Sequence, residues 1–310
     1  MPSIVCLFPG QGSQAVGMGR DLYDRYPEAR ELFGRADSAL GFSLSKLCFE
    51  GPEDELRLTK NTQPALLVTS TIAFTLLGIE PAAAAGHSLG EYSALVAAGA
   101  LDFEAAVVLV HKRGTFMQEA IPVGVGAMAA VLGADPEAIR DVLGRVRSGV
   151  VEVANWNSPE QVVIAGERPA VDEALSLLKP PRSVMLPVSA PFHCRLMLPA
   201  EERLAVELDR TPFRDPRFPV VGNVDAKPLR TGAEARDSLR RQVSRAVQWV
   251  SSMEVLRDLG GGTFIECGTG KVLSGLLKRI GRGWPTAPVV YNVEDGNSLE
   301  KTKSSLSAAS

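Results

Sequence analysis

Residues 81–101, PAAAAGHSLGEYSALVAAGAL, constrain this chain more than any other stretch. A run of small apolar residues enters the pentapeptide Gly86-His87-Ser88-Leu89-Gly90 and continues directly as a helical segment. A strand that passes so abruptly into a helix needs a tight, strained turn, which the two glycines permit. That unit belongs to a sheet of mostly parallel strands with helical crossovers. The stretch is also the most apolar long one, but His87, Ser88 and Glu91 interrupt it, and a membrane-spanning helix would leave them in hydrocarbon at high cost. It reads as a buried strand, turn and helix.

The remainder of the sequence fits the same class. SIVCLFP, ended by Pro9 and Gly10, suits a buried parallel strand. Helical patterning over residues 20–40, 63–77 and 102–120 supplies crossovers. Residues 126–190 read differently, as strand, helix, strand, strand, helix, strand, which is the order of a split βαβ, ferredoxin-like unit. Further strands in FPVVGNV, TFIECG and VVYNV alternate with helices near 234–259 and 271–281. The expected organisation is a large α/β domain over residues 1–124 and 191–297, interrupted by a small α+β subdomain at 125–190. The tail at 298–310, rich in Ser, Lys and Ala, is expected to be disordered.

Composition excludes several classes. The 33 Lys and Arg residues against 36 Asp and Glu leave a net charge of -3 with no basic block, which argues against nucleic acid as a partner. Cys6, Cys48, Cys194 and Cys267 form no CxxC pair, so neither a zinc site nor a disulfide framework is suggested, and a reducing cytoplasm suits them. MPSIVCLFPGQG lacks the basic start and cleavable apolar core of a signal peptide.

In a G-x-S-x-G turn of this kind the serine hydroxyl is lifted above the sheet, and the following helix directs its N-terminal dipole at developing negative charge. Ser88 is therefore the candidate nucleophile, against the alternative of a glycine-rich structural turn. A serine needs a base, normally an imidazole. His87 precedes the nucleophile and should point away from it, and His111 lies within a long helix. His193, on a loop at a domain junction, is left by elimination, with a purely structural histidine as the other reading. Cys194 beside it could be read as a thiol nucleophile, but adjacent residues rarely face each other. Arg113 shares a helical stripe with Ala106, Leu109, Val110 and Met117. Two readings stand for it: a planar fork gripping a ligand carboxylate, or a snorkelling or internally paired arginine. Gly10-Gln11-Gly12 after the first strand could bring backbone N–H groups close to a ligand oxygen. A dinucleotide fingerprint there would need glycine where Ala15 stands, and the GTGKV at 268–272 has Val272 where a phosphate-binding loop has Ser or Thr.

Together, FPGQGSQ, NTQPALL, GHSLGEYSALVAAG, KRGTFMQEA, GAMAAVLG, NWNSPEQVVIAG, PVSAPFHCRLM, VGNVDAK, AVQWV and GTGKVLSGLLKRI resemble, in order, the malonyl-CoA:acyl carrier protein transacylase family, up to about residue 294. The resemblance implies an α/β-hydrolase-like large domain with an inserted ferredoxin-like subdomain. It implies Ser88 as nucleophile, His193 as general base and acid held by the main-chain carbonyl of Gln248, and the amides of Gln11 and Leu89 as the oxyanion hole. Arg113 would bind the free carboxylate of the malonyl group. Gln63, Asn155, Asn157 and Gln161 match positions near the family's pocket, where a structural role is the alternative. Phe192 before His193 resembles the Phe-His pair of malonyl-selective relatives.

The reaction so implied is ping-pong acyl transfer through a serine ester, from malonyl-CoA as substrate to an acyl carrier protein, with no metal or redox cofactor and no membrane partner. A cytoplasmic monomer is expected, supplying fatty acid biosynthesis or loading polyketide carrier proteins in trans. Arg240, Arg241, Lys278 and Arg279 are candidate contacts for an acidic carrier, or plain solvated charge. Two rivals remain: a serine thioesterase or other hydrolase, against which Arg113 argues, and a non-catalytic carrier-binding scaffold.

Overall fold

A computed structural model describes residues 3–188 and 190–309. Those residues form ten strands: β1 Ser3–Phe8, β2 Ala83–Gly86, β3 Gly126–Leu132, β4 Val151–Ser158, β5 Gln161–Glu167, β6 Arg182–Met185, β7 Val220–Val221, β8 Pro228–Leu229, β9 Gly261–Cys267 and β10 Val289–Val293. Six of them make one sheet in the order β10-β9-β1-β2-β7-β8, parallel except for the β7–β8 edge. Burial on both faces explains why β1 reads as a continuous apolar run. Cys6 and Phe8 face a core shared with helices Pro27–Leu40, Thr59–Leu77 and Phe103–Glu119, while Val5 and Leu7 face Trp249–Asp258 and Val272–Ile280.

The helix Thr59–Leu77 is buried on nearly all sides and carries Pro64 near its start. Proline has no N–H to give to the carbonyl four residues back. That carbonyl, on Lys60, accepts instead from His111 Nδ1 at 2.9 Å, which is the packing role of this histidine. Close by, a Cβ on Gly114 would fall 2.6 Å from the Thr59 carbonyl oxygen. Only glycine lets these two helices meet there, and the contact brings Gln63 and Arg113 face to face.

The other four strands form an antiparallel sheet, β4-β5-β3-β6, with helices Pro136–Arg145 and Arg168–Leu178 on one face. This is the ferredoxin-like order read from the sequence. Period-two alternation splits its side chains: Ala127, Ala129, Val131, Val162 and Ile164 pack under the two helices, while Met128, Ala130 and Val163 face the large domain. Val247 stitches the two units together, donating to the Ala154 carbonyl and accepting from the Trp156 N–H, each at 2.9 Å.

The tail corrects the sequence reading. Gly296–Ala309 is a helix, and of the tail only Ser310 lies outside the described residues. Its composition is poor in apolar residues, but Leu299 and Thr302 are buried against the body of the protein. Its start is fixed from a distance by Asp21, accepting from the Gly296 N–H at 2.7 Å, and locally by Asp295, accepting from the Ser298 N–H at 2.7 Å. Among the described residues no helix is long and apolar enough to cross a membrane.

Candidate active site

The turn after β2 is built by backbone contacts that admit no side chain. A Cβ on Gly86 would lie 1.9 Å from the Gly90 carbonyl carbon, one on Gly90 2.0 Å from the Phe8 carbonyl oxygen, and one on Gly10 2.4 Å from that of His87. Ser88 is left at φ 51°, a left-handed conformation that a residue with a side chain adopts only when its surroundings impose it. The restraint comes from Asn223, whose Oδ1 accepts from the Ser88 N–H and whose Nδ2 donates to the Gly86 carbonyl, both at 2.7 Å.

His193, at φ 61°, is also left-handed. Its Nε2 stands 2.8 Å from Ser88 Oγ and its Nδ1 2.8 Å from the Gln242 main-chain carbonyl. A carbonyl only accepts, so Nδ1 carries the proton and Nε2 is free to take the serine's. The expectation that Gln248 holds this histidine is therefore corrected to Gln242. The Gln248 carbonyl is occupied by the Ser252 N–H and hydroxyl at the start of helix Trp249–Asp258. Gln242 ends helix Gly232–Gln242, where the last carbonyls have no intrahelical donor and the dipole favours positive charge.

Arg113 is 1% exposed. It donates from Nη1 to Gln63 Oε1 at 2.8 Å, and from Nη2 to Gln242 Oε1 at 2.8 Å and Ser88 Oγ at 3.3 Å. Its buried Nε–H has no hydrogen-bond partner. The snorkelling reading fails on burial, and among the described residues no carboxylate pairs with it directly. The guanidinium therefore keeps donor capacity that the protein does not fill.

These groups line one cavity of about 180 Å³. Gln11, Gln63, Leu89, Asn155, Asn157, Gln161 and Phe192 all border it, closed by an apolar wall of Met117, Met128, Ala130, Val163, Leu186 and Val188. Leu89 precedes helix Gly90–Ala97, and neither its N–H nor that of Gln11 has an acceptor among the described residues. Asn157 is engaged by His87 Nε2 at 2.8 Å, which turns that histidine away from the serine, and Gln161 accepts from Arg279 at 3.4 Å. Burial pushes the Cys194 thiol up to about 12, and its Sγ donates to the Pro191 carbonyl, so it is no nucleophile. Among the described residues no cluster of three or more His, Cys, Asp or Glu side chains is arranged to hold a metal ion. Sequence reasoning missed Asn223, Gln242 and the apolar wall. Asn223 lies in VGNVDAK, a segment already singled out, whereas the wall is visible only once β3 and β5 are paired.

Burial, and then the nearby charge of Arg113, push the His193 pKa down to about 3 against the pull of the Gln242 carbonyl. The imidazole is thus neutral and able to accept a proton throughout the neutral range. Protonation removes the base, so activity is lost on the acid side, at the depressed value. In a stopped-flow pH profile, acylation of Ser88 should hold its rate as pH falls through the ordinary histidine value of 6.5. In Arg113→Ala both depressing causes weaken, and the acid limb should move up toward 6.5. A limb near 6.5 in the unaltered protein would contradict this account.

A nucleophile with an oriented base, two free amides and a buried guanidinium can form a serine ester with an acid that carries a second carboxylate. Comparison with known proteins agrees. The model of the acyl transferase domain matches residues 5–290. The malonyl CoA-acyl carrier protein transacylase of Bacillus subtilis (strain 168) is 48% identical over 297 residues, spanning 93% of this chain and 94% of that protein. Its counterpart in Escherichia coli (strain K12) is 49% identical over 288 residues, spanning 90% and 93%. Among solved structures, an acyl carrier protein S-malonyltransferase from Vibrio cholerae superposes with a TM-score of 0.93 at 43% identity, covering 97% of this chain and 99% of that one. A malonyl-transacylase in complex with its type II polyketide acyl-carrier protein gives 0.94 at 42% identity, covering 98% and 99%.

Proposed function

This chain belongs to the acyl transferase domain family, among the malonyl-CoA:acyl carrier protein transacylases, and on that premise we propose that it carries malonyl groups on Ser88. His193 takes the proton of Ser88, and the alkoxide attacks the malonyl thioester. The amides of Gln11 and Leu89 receive the oxyanion. His193 returns its proton to the departing coenzyme A thiolate, leaving the ester. The phosphopantetheine thiol of an acyl carrier protein then gives its proton to His193, attacks the ester carbonyl and leaves as the malonyl thioester, and Ser88 recovers its proton. The product supplies fatty acid synthesis.

The observation that carries this reading is the meeting of Ser88, His193 and Arg113 in one cavity. An adjoining cavity of about 520 Å³, sharing Gln11, Leu186 and Val188 with the first, offers a path for the pantetheine arm common to both thiols. Residues 1–124 and 191–297 act as the catalytic domain and 125–190 as the wall that closes the acyl pocket. The enzyme works as a cytoplasmic monomer, with Phe192 limiting room beside the malonyl α-carbon.

The test is intact-protein mass spectrometry after incubation with malonyl-CoA or acetyl-CoA. A malonyl adduct, with little or no acetyl adduct, is expected. Free coenzyme A accumulating without adduct would identify a hydrolase instead. In Arg113→Ala, malonyl loading should fall by about a hundredfold or more, because the carboxylate loses its charged partner in a water-poor cavity. Acetyl loading should change far less, and an unchanged malonyl preference in a competition assay would sink the role of Arg113.

A further inference from the structure

Glu91 lies in the first turn of helix Gly90–Ala97, fully buried directly behind the nucleophile. The mechanism gives it no part. Its Oε1 accepts from Ser238 Oγ at 2.6 Å, and its Oε2 accepts from the Asn223 N–H at 3.0 Å and from Gln242 Nε2 at 2.7 Å. Burial pushes the Glu91 pKa up and these three hydrogen bonds pull it down, but Oε2, with two N–H groups on it, is an acceptor in either protonation state.

The consequence falls on Gln242, itself fully buried. Glu91 Oε2 already accepts from the Asn223 N–H, so the Gln242 amide turns Nε2 toward it. The second hydrogen of that nitrogen goes to the Ser88 carbonyl at 2.9 Å. Oε1 is thereby left for Arg113, which only donates and reaches it at 2.8 Å. Turning the amide over would set NH₂ against guanidinium, and oxygen against the two acceptors Glu91 and Ser88 O. A carboxylate in direct contact with Arg113 would occupy the fork, whereas an amide between them steadies the guanidinium and leaves other donors open.

We propose that Glu91 is a positioning residue for the substrate carboxylate: by fixing which end of the Gln242 amide faces Arg113, it holds the guanidinium where that carboxylate meets it. The inference rests on Arg113 being the carboxylate anchor. It separates selectivity from proton transfer, because His193 is held by the Gln242 main chain and not by its side chain.

The test measures malonyl and acetyl loading of Ser88 in Glu91→Leu, Gln242→Met, the double variant, Glu91→Gln and Arg113→Ala. Glu91→Leu and Gln242→Met should each lower the malonyl-to-acetyl ratio by about tenfold or more, the effect of one charge-assisted hydrogen bond. The double variant should be no worse than either single one, since both break the same path. Glu91→Gln can still accept from Asn223 and Gln242 while donating to Ser238, and should keep the ratio within about threefold. Equal losses for both acyl groups with the ratio preserved, as bracing of the turn alone would give, overturn the proposal. So do additive effects in the double variant, or a Glu91→Gln protein as impaired as Glu91→Leu. Should Glu91→Leu fail to fold, Gln242→Met and Glu91→Gln decide the matter alone. If Arg113→Ala keeps its malonyl preference, the anchor reading fails and takes this inference with it; if Arg113→Ala loses the preference and Gln242→Met does not, only the inference fails.

Discussion

Ser88→Ala protein incubated with malonyl-CoA is expected to keep its unmodified mass, with transfer to carrier protein reduced by about 10⁴-fold or more. Among the described residues that line the cavity, no other side chain offers a hydroxyl or thiol to take the acyl group. The Cys194 thiol is held as a thiol by burial and is turned to the Pro191 carbonyl. His193 and Arg113 would persist and keep the cavity polar, so the variant should still bind malonyl-CoA, which isothermal titration would detect. Residual adduct in this variant would mean that the ester forms elsewhere.

His193→Ala removes the base hydrogen-bonded to Ser88 Oγ, and loading is expected to fall by about 10³-fold or more. Proton transfer is indifferent to the acyl chain, so malonyl and acetyl loading should fall together. That parallel loss is the converse of the selective loss expected for Arg113→Ala, and a quench-flow comparison of the two acyl donors separates them. A His193→Ala protein that discriminated more strongly against acetyl than the unaltered one would show that the imidazole also shapes the pocket. The left-handed backbone at position 193 makes alanine there somewhat strained, so far-UV circular dichroism should accompany the measurement.

The sequence discloses the site unevenly, and the reasons are physical. Ser88 is legible because a strand that turns at once into a helix leaves a local signature. His193 is legible because histidines are few. Arg113 stands out as a cation on an apolar stripe, but its partners come from distant segments. The carbonyl that orients His193 carries no side-chain signature: choosing between Gln242 and Gln248 depends on where a helix ends and which carbonyl is left without a donor. Likewise, the Ser-, Lys- and Ala-rich tail is held as a helix by Asp21, some 275 positions earlier in the chain, and no local composition reports that. Which stretches are strands, and the chain order of elements in the small sheet, are legible because they follow from alternation and crossover rules, whereas the lateral order of the large sheet and the wall made by Met128, Ala130 and Val163 depend on which elements and faces meet.

The segment 243–248 ties both ends of the site together. At one end it follows the Gln242 carbonyl that orients the base; toward the other, Val247 is stitched to Ala154 and Trp156 of the small sheet. The small sheet is therefore tied through the backbone to the segment that follows the base's carbonyl partner. A chimaera that exchanged residues 125–190 for those of a relative, in order to alter acyl choice, would pull on the imidazole through these six residues unless they travelled with it.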